Sequence, residues 1–334
     1  MRPYVYRVEN HGARWTRLST EGIRGYALSV LQDRVDPDLL FVGTEFGLYV
    51  SIDGGDSWTR FTAGLPTVSV MDMAIQEREN DLVLGTHGRS VYVIDDYSGL
   101  RNLSTADFNA RLKVLSASPG QQYNARQSPS SRFTGSGEFR ADNEPYGVML
   151  TFMASGDDLS HPDPDTERLR PMSLREKTAR STSETAEQEE DQEDSGSTRL
   201  SVTVRNSEGA NIRFYKTDVH QGINRLTWPM RRDGIRPVSA DRKKKPGDGL
   251  PPGPLVLPGQ YEVTLELGDA SATTTVEVLG DPRSPYTEGE LQANFEARMS
   301  LMAMQDTANR AMRQIDVARA DIETIKRLLS LRLE

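Results

Sequence analysis

A repeat of 42 to 43 residues limits what the first hundred residues can fold into. The segment Leu40–Trp58 reads LFVGTEFGLYVSIDGGDSW: an apolar run, a turn with two glycines, a second apolar run and an acidic loop that ends in Trp58. Residues 10–18 repeat the end of this segment at an offset of 43, and residues 82–93 repeat its start at an offset of 42. A period of this length is typical of a four-stranded antiparallel unit. We therefore expect consecutive β-meanders in this part of the chain.

The acidic loop carries a specific motif. It matches Ser-x-Asp-x-Gly-x-Ser-Trp through Ser51, Asp53, Gly55 and Trp58. Asp53 is expected to accept backbone N–H groups of its own loop, the glycines to allow positive φ, and Trp58 to pack between neighbouring sheets. The motif is an Asp-box and resembles the repeats of sialidases and other bacterial-neuraminidase-repeat (BNR) proteins. Because such residues brace hairpins away from a reaction centre, we interpret them as structural.

The second copy of the hairpin contains the most plausible ligand-facing residues. His87 and Arg89 lie on a tight turn between two apolar strands, which could present them together with Asp72. Alternatively, Arg89 pairs with Asp72, Asp95 or Asp96, and His87 satisfies backbone groups across the turn. We favour this structural alternative because structural ion pairs are commoner than sites. The apolar residues around Asp72 predict that it is buried and caps a backbone group.

A family resemblance covers residues 1–100. The stretches PYVY, GTEFGLYVSIDGGDSW and RENDLVLGTHGRSVYVIDD resemble the last blades of bacterial sortilin-type β-propeller proteins, which are often labelled glycosyl hydrolases from their repeats alone. The resemblance implies a partial β-propeller that begins in mid-blade, so we expect the chain to be a C-terminal fragment of a larger protein. It further implies an extracytoplasmic location, periplasmic or secreted, and a protein or glycan partner, including an upstream propeller chain.

The region after the blades predicts a second β domain. Residues 101–142 form a polar linker that includes a strand near residues 111–115, and residues 143–280 show short alternating strands. Gly-x-Asn-x-x-x-Trp at 222–228, followed by Pro-Gly-x-Tyr-x-Val at 258–263, resembles immunoglobulin-like domains of the flagellar hook-cap type. We expect an immunoglobulin-like β-sandwich.

An acidic segment interrupts this predicted domain at residues 155–197. Between Asp157 and Asp194 it holds thirteen acidic and five basic residues. The segment therefore carries a net charge of −8, which is most of the chain's net charge of −9. Such a composition does not bury enough apolar surface to offset its ordering entropy, so a disordered insertion is predicted. The triple lysine at 243–245 is interpreted as part of a solvated loop.

A helical tail is predicted over residues 281–334. Thr287 and Glu290 form the Ser/Thr-x-x-Glu pattern of a capping box. Apolar residues then recur at steps of three and four, a pattern of interaction helices and coiled coils; they are Leu291, Phe295, Met299, Met302, Met312, Ile315, Ile322, Ile325 and Leu329. A helix of this length must fold back near residues 306–309 or pack against a partner, and self-association through it is expected.

The residue composition argues against several classes of function. The chain has no Cys and four scattered His residues, so neither a metal site nor a cofactor is predicted. It lacks the basic and aromatic stripe of a nucleic-acid surface, a membrane-spanning apolar run, and the n- and h-regions of a signal peptide at its N-terminus. The fold is expected to be mainly β, and the function that of a non-catalytic extracytoplasmic binding scaffold without catalytic residues. The alternative is a sialidase-like glycoside hydrolase whose catalytic blades are missing or supplied by another chain.

Overall fold

The computed structural model describes residues 3–124, 141, 143–169, 171, 199–236 and 249–330. Within these residues the chain is mainly β with a long C-terminal helix, which confirms the coarse fold prediction. It divides into an N-terminal unit, Met1–Ser116, and a C-terminal unit, Ala117–Glu334. The N-terminal unit therefore includes the first part of the predicted linker.

The N-terminal unit is built from antiparallel strands in chain order. The β1–β2 hairpin is followed by a first meander, β3-β4-β5-β6, and a second meander, β7-β8-β9. The two copies of the sequence repeat form the hairpins β4–β5 and β8–β9. The strands are β1 (Tyr6–Glu9), β2 (Arg14–Arg17), β3 (Ala27–Gln32), β4 (Leu40–Thr44), β5 (Gly47–Ser51), β6 (Thr59–Phe61), β7 (Val70–Gln76), β8 (Asp81–Thr86), β9 (Val91–Ile94) and, at the unit boundary, β10 (Leu112–Ala117).

The first meander is covered on both faces. Side chains alternate across a strand, so Val42 and Tyr49 point to one face, where they pack with Trp58. Phe41 and Leu48 point to the other face, where they pack with residues of the second meander. Every residue of β4 and β5 is consequently buried.

Gly43 permits this close packing. A Cβ atom at Gly43 would lie 2.4 Å from Ser29 Oγ and 2.6 Å from the carbonyl oxygen of Val70. Both separations are shorter than van der Waals contact. The glycine in the repeated Gly-Thr pair therefore serves the approach of the next sheet rather than a turn.

The C-terminal unit contains a mixed sheet in the order β11-β19-β18-β13-β14, in which β11 runs parallel to β19. Separately, β12 pairs antiparallel with β15, and β16 with β17. The strands are β11 (Gly120–Gln121), β12 (Val148–Ala154), β13 (Leu200–Arg205), β14 (Asn211–Thr217), β15 (Gly222–Trp228), β16 (Arg231–Asp233), β17 (Pro252–Leu255), β18 (Gly259–Leu267) and β19 (Ala270–Leu279).

The two motifs predicted from sequence meet in this unit. The Trp228 and Tyr261 rings pack edge to face with centroids 5.3 Å apart, which joins β15 to β18 of the other sheet. Trp228 Nε1 donates to the Arg231 carbonyl at 2.9 Å, and the Tyr261 hydroxyl donates to the Leu257 carbonyl at 2.7 Å. Both buried polar groups are therefore satisfied. The immunoglobulin-like assignment itself stays a prediction.

The start of the predicted insertion differs from expectation. Residues 155–169 adopt defined structure, with Leu159 only 1% exposed and a short helix α1 at Pro164–Leu169. The overall composition of the segment did not reveal this one buried leucine, whose N–H donates to the Gly156 carbonyl at 3.1 Å. The remainder of the predicted insertion, 172–197, and the triple lysine at 243–245 lie outside the described residues.

The predicted C-terminal helix, α2, runs without interruption over Glu288–Ser330. Its capping box forms, since Glu290 N donates to Thr287 Oγ1 at 3.3 Å and Thr287 N donates to the Glu290 carboxylate at 2.8 Å. The predicted alternative of a fold-back near residues 306–309 is wrong. Among the described residues, no helix is both long and apolar enough to cross a membrane, in agreement with the sequence prediction.

Candidate functional site

The Asp-box loop uses its carboxylate for local hydrogen bonds. Asp53 Oδ1 accepts from Ser51 Oγ at 2.7 Å, from Asp56 N at 3.1 Å and from Ser57 N at 2.9 Å, while Oδ2 accepts from Ser57 Oγ. Gly55 N in turn donates to Ser51 Oγ at 2.8 Å. Gly55 has a φ of 92°, which a residue with a side chain rarely adopts.

The electrostatics of Asp53 favour a structural role. Burial raises the pKa of this carboxyl, but hydrogen bonds from Ser51, Ser57 and the loop backbone outweigh burial and hold the pKa below its usual value. A carboxylate with a lowered pKa is a poor general acid. Trp58 packs in the N-terminal core, and its Nε1 donates to the Ser19 carbonyl at 2.8 Å, so the loop is held at both ends.

The turn between β8 and β9 presents two side chains to solvent. Its backbone is closed by Thr86, whose N and Oγ1 donate to the Ser90 carbonyl at 3.1 and 2.6 Å. His87 N donates to the Ser69 carbonyl at 3.0 Å. The side chains of His87 and Arg89 are exposed at this turn. They are available to a partner that approaches the end of the second meander.

The predicted ion pair between Arg89 and Asp72 is not formed, although both are described residues. The alternative pairing of Arg89 with Asp95 or Asp96 stays a prediction. Asp72 is exposed instead of buried, and its carboxylate accepts only the neighbouring N–H of Met73, at 2.9 Å. The prediction of a buried Asp72 fails because nothing in the described chain covers this face of β7. No hydrogen bond or ion pair joins the described residues Asp72, His87 and Arg89 to one another, and their role as a ligand site stays a prediction.

A buried ion pair that the sequence did not indicate lies in the N-terminal unit. Arg101 Nε and Nη2 each donate to the Asp33 carboxylate at 2.9 Å, and the Tyr97 hydroxyl also donates to it. The backbone N–H groups of Val35 and Asp36 donate to Oδ2 at 3.0 and 2.7 Å. The Asp33 side chain has no exposed surface, and that of Arg101 is 17% exposed.

These five donors determine the protonation of Asp33. Burial raises the pKa of the carboxyl, but the hydrogen bonds from Arg101, Tyr97 and the backbone outweigh burial and hold it well below its usual value. Burial and the neighbouring carboxylate also raise the pKa of Tyr97 to about 12. The cluster therefore stays ionised and clamps the β3–β4 turn to the 3-10 helix Tyr97–Asn102.

Two further features of the C-terminal unit are relevant to a possible site, a Ser–His contact and a groove. In the C-terminal unit Ser160 Oγ lies 2.9 Å from His220 Nδ1, where it fastens the isolated bridge between these two residues. A shallow groove of about 300 Å³ lies between α2 and the β16–β17 region. Within the described ranges no group of three or more His, Cys, Asp or Glu residues is arranged to hold a metal ion.

Comparisons with known proteins do not establish a family. No protein-family model matches the chain, and no curated protein matches it. Among solved structures it is similar to PorZ of Porphyromonas gingivalis, a bacterial surface component of the type-IX secretion system, with 15% identity over 75% of this chain and 22% of that chain and a TM-score of 0.20. It is also similar to the extracellular domain of the putative one-component system BT4673 of B. thetaiotaomicron, with 10% identity over 83% of this chain and 28% of that chain and a TM-score of 0.22.

The chain thus spans less than a third of either solved protein. TM-scores this low carry no argument about fold or function. The class that the structure itself defines is a mainly β chain with a long C-terminal helix, and the BNR and sortilin-type resemblance stays a prediction.

Proposed function

We propose that this chain is a non-catalytic protein-binding scaffold, the C-terminal part of a larger β-propeller assembly, whose second meander binds a further β-meander. The proposal is carried by one observation: the two meanders are built from the same repeat, but no described residue covers the equivalent face of the second. We call this face, formed by Ala74, Val83, Val91 and Val93, the outer face.

The repeat relates buried residues to exposed ones. In the first meander Leu48 and Val50 are buried against the second meander. Their counterparts at an offset of 43 are Val91 and Val93, which are 58% and 53% exposed. The sequence at the outer face therefore keeps the apolar character that the first meander uses for packing.

The glycines of the two copies support the same reading. At Gly43 the space where a Cβ would lie is occupied by Ser29 Oγ of its own sheet and by the carbonyl oxygen and Cγ1 of Val70, which belongs to the second meander. At Gly85, the counterpart, a Cβ would meet only the Asp72 carbonyl oxygen at 3.6 Å and the Asp72 Cβ at 3.9 Å, both from the neighbouring strand of its own sheet. Gly85 thus leaves room for a sheet that is not in this chain's described residues.

The chemistry of the outer face favours a protein over a glycan. Ala74, Val83 and Val93 form one cross-strand row, and Val91 continues it on the same face. Full burial of a valine side chain is worth about 1.5 to 3 kcal/mol, which a partner sheet supplies. The exposed His87 and Arg89 lie beside this face and add polar contacts at its rim. The extracytoplasmic location remains part of the proposal and rests on the resemblance in sequence.

The proposal is tested with the full chain, expressed with an affinity tag in cells that carry the gene. Val93→Lys places a charge on the outer face, and Val35→Lys is the matched control because Val35 is 71% exposed on the β3–β4 turn. We expect the wild type and Val35→Lys to co-purify with a polypeptide that carries the same β-repeat, and Val93→Lys to lose it.

Two results would overturn the scaffold assignment. One is equal recovery of such a polypeptide by all three chains. The other is hydrolysis of a sialylated oligosaccharide by the purified chain that Arg89→Ala abolishes, which would favour the sialidase-like alternative.

A further inference from the structure

Helix α2 has two different apolar faces. Residues Leu291, Phe295 and Met302 are half-buried on the side that faces the rest of the C-terminal unit. On that side the Arg232 guanidinium lies 5.7 Å from the Phe295 ring centroid, and Asn309 Nδ2 donates to the Arg236 carbonyl at 3.2 Å. These contacts fix the rotation of the helix about its axis.

The opposite side of α2 carries a heptad repeat whose residues are exposed in the described chain. We call the following residues the free seam; they alternate in steps of three and four and are all exposed: Ala308, Ala311, Ile315, Ala318, Ile322 and Ile325. Met304 continues the same spacing towards the N-terminus and is 67% exposed. From Met304 to Ile325 the pattern spans about three heptads, the length at which a coiled coil is indicated.

We propose that a second copy of this chain covers the free seam as a parallel, in-register, two-stranded coiled coil. With Ile315 and Ile322 at a positions and Ala311 and Ala318 at d positions, β-branched residues alternate with small ones, so two helices approach closely along the seam. The occupant is a second copy because the charges beside the seam complement each other.

The flanking charges also set the orientation. Asp321 occupies a g position and Lys326 the e position of the next heptad. In the single chain Lys326 Nζ lies 2.8 Å from Glu323 Oε1, an exposed pair that Lys326 exchanges for Asp321 of the second copy. In a parallel pair each Asp321 meets Lys326 of the second copy, and symmetry provides two such ion pairs. In an antiparallel pair e positions face e positions, which brings the basic residues Arg319 and Lys326 against each other.

The first test is the mass of the full chain in solution, measured by sedimentation equilibrium over a range of concentrations. Ile322→Lys places a charge in the seam, and Thr324→Lys places the same charge two residues away, on an exposed c position. We expect the wild type and Thr324→Lys to be dimers. The dissociation constant of the dimer should be at least tenfold higher for Ile322→Lys than for Thr324→Lys. Since the outer face lies on another unit, Val93→Lys is expected to remain dimeric, so the two proposals fail separately.

The second test reports orientation. The chain has no Cys, so Ile325→Cys introduces a single thiol per chain, which forms a disulfide across a parallel in-register pair. In an antiparallel pair centred on Ile315 the two thiols would be roughly 30 Å apart. A charge swap adds a rescue: Asp321→Lys weakens the dimer, and Asp321→Lys with Lys326→Asp restores it. A monomeric wild type, a trimer, equal loss in Thr324→Lys or no disulfide would each overturn the proposal.

Discussion

Replacing Arg101 by methionine tests the clamp of the N-terminal unit. The change keeps most of the side-chain volume but removes both hydrogen bonds to Asp33, whose carboxylate has no exposed surface. Loss of one partner of a buried ion pair typically costs 3 to 5 kcal/mol. Asp33 retains three donors, from Tyr97, Val35 and Asp36, so we expect a loss near the lower end, about 3 kcal/mol.

The assay must report on the N-terminal unit alone because the chain has two units. Urea unfolding followed by hydrogen exchange of peptides that cover β4 and β5 meets this need, since these strands form the buried centre of the unit. Arg78→Met is the matched control, because Arg78 is 81% exposed in its pair with Glu79. Exposed pairs contribute about 0 to 1 kcal/mol.

The pH dependence provides a second readout of the same variant. The pKa of Asp33 is lowered in the folded unit, so its ionised form stabilises the fold above the unfolded pKa of about 3.9, and this contribution is lost as the pH falls below that value. Without Arg101 the lowering is smaller, so the stability difference between the wild type and Arg101→Met should narrow as the pH falls below about 3.9 towards the lowered pKa of Asp33. Equal stabilities at neutral pH, or a gap that widens on acidification, would refute the clamp.

Further predictions concern the repeat and its loop. Gly43→Ala is expected to destabilise the N-terminal unit by about 1 to 3 kcal/mol through overpacking against Val70. Gly85→Ala, at a position with room for a Cβ, should change the stability of the unit by less than about 1 kcal/mol. Equal effects of the two variants in urea unfolding would contradict the packing argument. Asp53→Ala should cost about 1 kcal/mol, because the N–H groups of Asp56 and Ser57 that it leaves are exposed to water; a loss above about 3 kcal/mol would contradict that exposure. Tyr97→Phe should cost about 1 to 2 kcal/mol, since it removes one hydrogen bond to a buried carboxylate, and an unchanged urea midpoint would show that this bond is dispensable.

Local patterns predicted the elements whose contacts are local. The hairpins β4–β5 and β8–β9 and the capping box of Thr287 and Glu290 each connect residues close in sequence, so spacing and residue type were sufficient. The Asp53 loop was predictable for the same reason: its donors lie within four residues of the carboxylate.

Contacts between distant residues were not predictable. Asp33 and Arg101 are 68 residues apart, and neither stands in a motif that names the other. Asp72 was expected to be buried because its neighbours are apolar, but burial depends on whether another sheet covers that face. On α2 a single apolar stripe was read from sequence, whereas the packing of Phe295 and Asn309 divides it into a covered face and a free seam.

The most direct test of the scaffold proposal is to replace Val93 by a photo-crosslinking amino acid in the full chain, in cells that carry the gene, and to map the linked residue by mass spectrometry. The same replacement at Val35 is the control. The account predicts an adduct at position 93, absent at position 35, with a strand of a polypeptide that carries the 42- to 43-residue β-repeat. An adduct with a glycan, or adducts of equal yield at both positions, would contradict it.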